Sequence, residues 1–256
     1  MRKSIPATSS LIALNVLIYF TVDLLLPAGN PLARRLPLYY PRNEAFGVWQ
    51  FVSHMFMHGS TTHLFMNMFG LFSFGSILER IWGTKRFLIF YFAAGVGAGI
   101  IYTGVNLFEV FRTASLLIQQ GLTAAELTEL PRITDDPRVF AYGIQQLSPA
   151  GYEAAGPEKI VEMFYIFKIP VVGASGAIYG VLTAFGVLFP NAKLSLIFLP
   201  VPIAAKYFIP ALLLLDFFSG VTGFSLFGGG IAHFAHLGGA AIGFLLMLLW
   251  RKDRPV

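Results

Sequence analysis

The 256-residue chain contains no cysteine. Disulfides and cysteine-ligated metal sites are therefore excluded, and cysteine usage leaves the redox compartment open. Charge is scarce as well. Asp, Glu, Lys and Arg make up 12% of the residues, against about 25% in soluble domains. A secretory leader fits poorly: Arg2 and Lys3 precede an apolar run to Leu26 that has no small-residue cleavage site and exceeds the usual h-region. An uncleaved first span is expected there. Internal repeats and low-complexity tracts are missing too. A transporter or channel would call for paired hydropathy repeats and charges in several spans, and the sequence supplies neither.

What is present is apolar surface. Hydrophobic residues are 56% of the chain and mean hydropathy is +0.69, which describes an integral membrane protein whose solvent is the lipid bilayer. The net charge of +5 is no nucleic-acid signature, because the bases sit in short loops flanking apolar segments. At about 20 apolar residues per crossing, six spans are predicted: Ala7–Leu26, Thr62–Leu78, Phe87–Asn106, Val171–Phe189, Ala204–Phe218 and Ile231–Trp250. The fifth is short, and "LSLIFLPVPIAAK" ahead of it reads as an interfacial stretch broken by Pro200 and Pro202.

Six spans put both termini on one side, and the positive-inside rule says which. Cytoplasmic termini place Arg2, Lys3, Arg80, Lys85, Arg86, Lys193, Lys206, Arg251, Lys252 and Arg254 inside. The long polar segment 107–168 then falls outside, where its eight acids outnumber five bases. It holds Pro131, Pro137, Pro149 and Pro157 and a capping-box pattern, "TAAE", at Thr123–Glu126. About sixty residues is marginal for an independent core. The segment is therefore expected to be an elaborated loop packed on a single membrane domain, residues 1–256, with one short helix.

Polar side chains gather at one depth. His63 and Asn67 open the second span, Ser175 lies about four residues into the fourth, and His236 about five into the sixth. At a rise of about 1.5 Å per residue, all four fall within roughly 10 Å of the outer boundary. Such groups are costly in hydrocarbon unless they face protein or water, so a shared wet pocket is expected. Gly176/Gly180 and Gly239/Gly243 are GxxxG steps that let two backbones approach. His236, Gly239 and Gly243 share one helix face. If the two faces meet, His236 reaches the Ser175 hydroxyl and Tyr179 supplies a ring for it to pack on. A serine becomes a nucleophile when a base accepts its proton. No carboxylate is placed to orient that base: Asp216 reads as a helix end at the interface. His54, His58 and His233 lack a carboxylate or cysteine to complete a metal site, so neither metal nor cofactor is expected.

With these residues in hand, the sequence resembles the rhomboid intramembrane serine proteases. "GASG" (Gly173–Gly176) resembles the family's GxSG, with Ser175 as nucleophile. "AHLGG" followed by Gly243 resembles AHxxGxxxG, with His236 as base. "HLFMN" resembles HxxxN, and "GSILERIWG" (Gly75–Gly83) resembles GxxxExxxG, where Glu79 is structural. "VWQFVSHMFMHGSTTH" resembles the end of the family's first loop, although Gln50 follows Trp49 where many members carry Arg.

The resemblance implies an all-α, polytopic six-transmembrane-helix bundle of rhomboid type, with a long extracytoplasmic insertion between helices 3 and 4. It further implies a serine endopeptidase that cuts transmembrane protein substrates near the outer face by a Ser175–His236 dyad. His63, Asn67 and the Ser175 backbone N–H would serve the oxyanion, supported by Tyr179, Gly173, Gly176 and Gly239. The "SGVTGFSLFGGG" connector (Ser219–Gly230) would be the mobile flap over the substrate entrance. A bacterial inner membrane with the site opening outward is the expected location. The alternative is a catalytically inactive relative that binds or moves membrane proteins. Nothing in the sequence fixes substrate identity or oligomeric state.

Overall fold

The computed structural model describes residues 4–26, 30–196, 199–224 and 232–250. Arg2, Lys3, Arg251, Lys252 and Arg254, which contributed to the orientation argument, lie outside the described residues, as do residues 225–230 of the glycine-rich connector.

Helices dominate. α1 (Pro6–Ile18) runs into a wide π-type turn, Tyr19–Leu24. α2 (Pro31–Arg35) and α3 (Gln50–Ser53) are short. α4 (Thr61–Gly70) continues through a second π-type turn, Leu71–Gly75, into α5 (Ser76–Trp82). α6 (Thr84–Gln119) is 36 residues long. Then come α7 (Ala124–Ile133), α8 (Pro137–Leu147), α9 (Pro149–Ala155) and α10 (Pro157–Lys168). α11 (Ser175–Leu188) leads to β1 (Lys193–Leu196) and β2 (Leu199–Ala204), followed by α12 (Ala205–Thr222) and α13 (His233–Leu249).

Each expected span holds a helix, with shifted limits. α6 outruns Asn106 to Gln119, and α12 continues past Phe218 to Thr222, taking in the first residues of the expected flap. α11 starts at Ser175 rather than Val171. Among the described residues, α6 and α12 are the helices both long and apolar enough to cross a bilayer unaided. The stretch expected at the interface forms two antiparallel strands, pairing Leu194 with Ile203. Two strands leave free edges, where Pro200 and Pro202 cost no ladder bond.

The chain gathers into two compact units. The first draws on Met1–Pro37, Trp49–Tyr102 and Val172–Val256. Phe87, Phe90, Tyr91, Leu71, Leu78 and Met55 are fully buried in its core. Its outward faces are also apolar, with Phe65, Phe72, Ile89, Leu214, Phe217 and Leu245 exposed. A surface this greasy suits hydrocarbon rather than water.

Leu38–Val48 and Thr103–Val171 form the second unit. Here the expected elaborated loop with one short helix is corrected. Residues 107–168 carry the end of α6 and four further helices, around a core of Leu117, Phe140, Ile144, Ile160 and Met163. Pro137, Pro149 and Pro157 each occupy the first turn of a helix. A missing N–H is harmless there, and the fixed φ is already helical. The Thr123/Glu126 capping box forms in both directions.

Glu79 ties three helix ends in the first unit. Its Oε1 accepts from the Ala7 N–H at 2.9 Å and from the Thr84 hydroxyl at 2.9 Å. Its Oε2 accepts from the Thr8 N–H at 2.8 Å and the Thr8 hydroxyl at 2.7 Å. No side chain caps α1 from Ile5, so this buried carboxylate satisfies orphan N–H groups at the positive end of the α1 dipole. Replacing Glu79 with Ala strands those donors, at about 1–3 kcal/mol for each unsatisfied group. Thermal or denaturant unfolding in detergent micelles should show a loss of at least about 2 kcal/mol. An unchanged midpoint would contradict the capping role.

Candidate active site

The approach to Ser175 is not helical. Val171 pairs with Leu38 in an isolated bridge, and Gly173 has φ = +121°. A side chain is strained at that angle, and a Cβ on Gly173 would also lie 2.7 Å from His63 Nε2. The Gly173 N–H donates to the His54 carbonyl at 2.9 Å. Ser175 is consequently the first residue of α11, not one buried four residues down a longer helix. Its N-cap residue, Ala174, makes no side-chain cap hydrogen bond. The first N–H groups of α11, that of Ser175 included, therefore lack an intrahelical acceptor.

α13 comes against α11 backbone to backbone. A Cβ at Gly239 would fall on the Gly176 carbonyl, and one at Gly243 would stand 2.6 Å from the Gly180 Cα. Cβ atoms at Gly176 and Gly180 would also meet Ala98 and Ala94 of α6, at 2.5 and 2.6 Å, so α6 packs into the same contact. At this separation His236, one turn above Gly239, places Nε2 2.9 Å from Ser175 Oγ. Its ring lies on Tyr179 with centroids 4.2 Å apart and planes 14° from parallel. Ser175, His236, Tyr179, Gly176 and Gly239 are thus brought together.

Asp216 requires a correction. Expected as an interfacial helix end, it lies inside α12 and is buried, at 6% exposure. Its Oδ1 is 2.5 Å from His233 Nδ1 and 3.3 Å from His236 Nδ1. An acid in an apolar span is a functional candidate by default, and two histidines three residues apart share one helix face. That was the available signal. The ligand atoms of Asp216, His233 and His236 lie within 4.8 Å of one another, so this trio could close on a divalent cation. The expectation that no carboxylate stands near these histidines therefore fails. The Asp216 carboxylate is thus shared between the two imidazoles.

His63 and Asn67 follow one another on α4. The His63 side chain sits beside Gly173 and against the His58 ring, with centroids 5.1 Å apart. Asn67 is buried, and its Nδ2 finds no acceptor among the described residues. Ahead of α4, Trp49 Nε1 and Gln50 Nε2 both donate to the Arg35 carbonyl, at 2.9 and 3.1 Å, and the Ser53 hydroxyl donates to Leu36 O at 2.7 Å. The fully buried Gln50 anchors this loop by its amide where an arginine was the expected residue.

The Rhomboid domain model matches residues 45–150 and 150–253, well over half of the sequence. The chain belongs to the rhomboid family. The family includes intramembrane proteases, and this rhomboid is an integral membrane protein built mainly of helices. It is 30% identical over 207 residues to the presenilin-associated rhomboid-like protein A, mitochondrial, of Danio rerio, covering 78% of this chain and 38% of that protein. Rhomboid protease GlpG of Haemophilus influenzae is 30% identical over 99 residues, 39% of this chain and 50% of that one. Rhomboid protein 1, mitochondrial, of Saccharomyces cerevisiae is 26% identical over 194 residues, 76% and 39% respectively. The matches span half or less of these relatives' own lengths. Mitochondrial and bacterial proteins both occur among them, so assignment to a bacterial inner membrane is withdrawn.

His54 lies in the connection ahead of α4, outside the spanning helices. Its Nδ1 is 2.7 Å from the Gln50 carbonyl. A carbonyl can only accept, so Nδ1 carries the proton. Burial pushes this imidazole from the usual 6.5 down to about 4, partly offset by that bond. Between these values the unfolded chain binds more protons than the folded rhomboid. Stability present above pH 6.5 is therefore lost progressively as pH falls toward about 4. The loss attributable to His54 is up to about 3 kcal/mol. Unfolding midpoints in detergent should fall across this window, less steeply for His54→Gln, which donates without titrating. Equal slopes would contradict the buried neutral state.

Proposed function

We propose that this rhomboid is an intramembrane serine endopeptidase that uses Ser175 and His236 to cleave transmembrane protein substrates. The observation that carries the reading is the 2.9 Å approach of His236 Nε2 to Ser175 Oγ, with the imidazole stacked on Tyr179. Neutral His236 takes the hydroxyl proton as Oγ attacks the scissile carbonyl carbon. The tetrahedral intermediate collapses when His236 returns that proton to the leaving amine. A water, deprotonated by the same imidazole, then hydrolyses the acyl-enzyme.

The negative oxygen needs donors fixed before it forms. The free Ser175 N–H at the start of α11 is one, aided by the helix dipole. Asn67 Nδ2, buried without an acceptor among the described residues, is the second, because a buried donor kept unpaired gains its partner when the oxyanion appears. His63, beside Gly173, is the third.

α1 with its π-type turn, α4 joined to α5, α6, α11, α12 and α13 make six crossings in one rhomboid domain. Residues 107–168 are an insertion on the extracytoplasmic side, in keeping with their acid excess. The charge asymmetry of the loops supports cytoplasmic termini and a site near the outer face. Substrate must enter sideways from the lipid and unwind, since a helix hides its carbonyls.

A fluorophosphonate should label the wild-type protein and not Ser175→Ala. His236→Ala should lower reporter cleavage by about 10³-fold or more, and Asn67→Ala by about 10²–10³-fold. Cleavage that survives His236→Ala sinks the base assignment. Folded wild type that neither labels nor cleaves would instead favour an inactive protein that binds or moves membrane proteins.

A further inference from the structure

We infer that Asp216 is a positioning residue for the base, converting the Ser175–His236 pair into a hydrogen-bonded relay that His233 holds in place. The inference rests on the protease reading above.

The argument begins with lone pairs. A carboxylate only accepts hydrogen bonds, and one oxygen can accept two. Asp216 Oδ1 faces His233 Nδ1 and His236 Nδ1 together. Each imidazole must then present Nδ1–H to it. For His236 this leaves the Nε2 lone pair free, and that atom is the one facing Ser175 Oγ. With the proton on Nε2 instead, the ring could not accept from the serine. Asp216 thus selects the tautomer that can act.

His233 has a separate task. Asp216 is on α12, whereas both histidines are on α13. The 2.5 Å contact to His233 is the shorter of the two, so it fixes the carboxylate, while the 3.3 Å contact aims His236. Tyr179 closes the other side by stacking on the His236 ring and turning its phenol to the same carboxylate. Ring tilt, ring slide and tautomer are thereby set by three different side chains.

During attack the Oγ–carbon bond forms and the hydroxyl proton moves to Nε2. The resulting imidazolium keeps its Nδ1–H on Asp216, which stays ionised and takes no proton. The positive ring then faces a negative carboxylate in low-dielectric surroundings, where such pairing is strongest.

The test uses the full chain in detergent micelles or proteoliposomes with a fluorogenic transmembrane peptide. Asp216→Asn should lower kcat roughly 100-fold or more and leave KM within about twofold, as expected of a residue that acts through His236. His233→Gln, which still donates to Oδ1, should retain more activity than His233→Ala. Histidine ¹⁵N spectra should report Nδ1–H on neutral His236 in the wild type and a loss of that tautomer in Asp216→Asn. Wild-type kcat in Asp216→Asn, with Ser175→Ala inactive, overturns the relay and leaves the protease reading intact. Activity in Ser175→Ala fails the protease reading itself. A protonated Nε2 in neutral wild-type His236 overturns the relay without any variant. So does an Asp216→Asn protein that loses stability and activity while keeping the tautomer, which would make Asp216 a clasp between helices.

Discussion

Where α11 passes α13, the carbonyl of Gly176 fills the space that a side chain at 239 would need. The approach of His236 to Ser175 is built on that contact. The serine of one helix and the histidine of the other sit 2.9 Å apart where their backbones come into contact. Glycine permits this because helix separation is set by whatever projects from the facing sides. Gly180 and Gly243 repeat the contact one turn on, and Ala94 and Ala98 of α6 pack against Gly180 and Gly176 beside it. The small residues fix distance; the polar ones, held at that distance, become chemistry.

Buried carboxylates do different work at the two ends of this unit. Glu79 receives four hydrogen bonds and joins the start of α1 to α5 and α6. Asp216 Oδ1 receives from two histidines and the Tyr179 phenol turns toward the group, yet its Oδ2 has no hydrogen-bond partner among the described residues. A fully satisfied acid anchors structure, whereas a part-satisfied one holds electrostatic capacity in reserve. The same contrast separates Gln50, tied to the Arg35 carbonyl, from Asn67, whose amide has no acceptor among the described residues.

Much of the core could be read from the amino acids. Spacing alone placed Gly176, Gly180, Gly239 and Gly243 on facing stripes and put Tyr179 beneath His236, because helical periodicity is a local property. Three things escaped. Asp216 was read from its place near the end of a span, while its partners are 17 and 20 residues away and meet it only through packing. The start of α11 was set too early because Val171–Ala174 is apolar enough to be helical; the positive φ of Gly173 interrupts it. The helices of the insertion were hidden by prolines, which open helices as readily as they end them. Composition cannot tell those positions apart without the caps around them.

The account stands on the glycine contact, and neighbouring positions provide an internal control. A Cβ at Gly239 presses on the α11 backbone, whereas one at Gly238 presses on Ile101 and Ala98 of α6. The decisive measurement is the rate at which a fluorophosphonate modifies Ser175 in Gly239→Ala and Gly238→Ala proteins that retain a cooperative thermal transition. The account expects Gly239→Ala to react about 100-fold more slowly than wild type, a separation worth about 2.7 kcal/mol of transition-state stabilisation, with Gly238→Ala far less affected. Equal, wild-type labelling of both would contradict it.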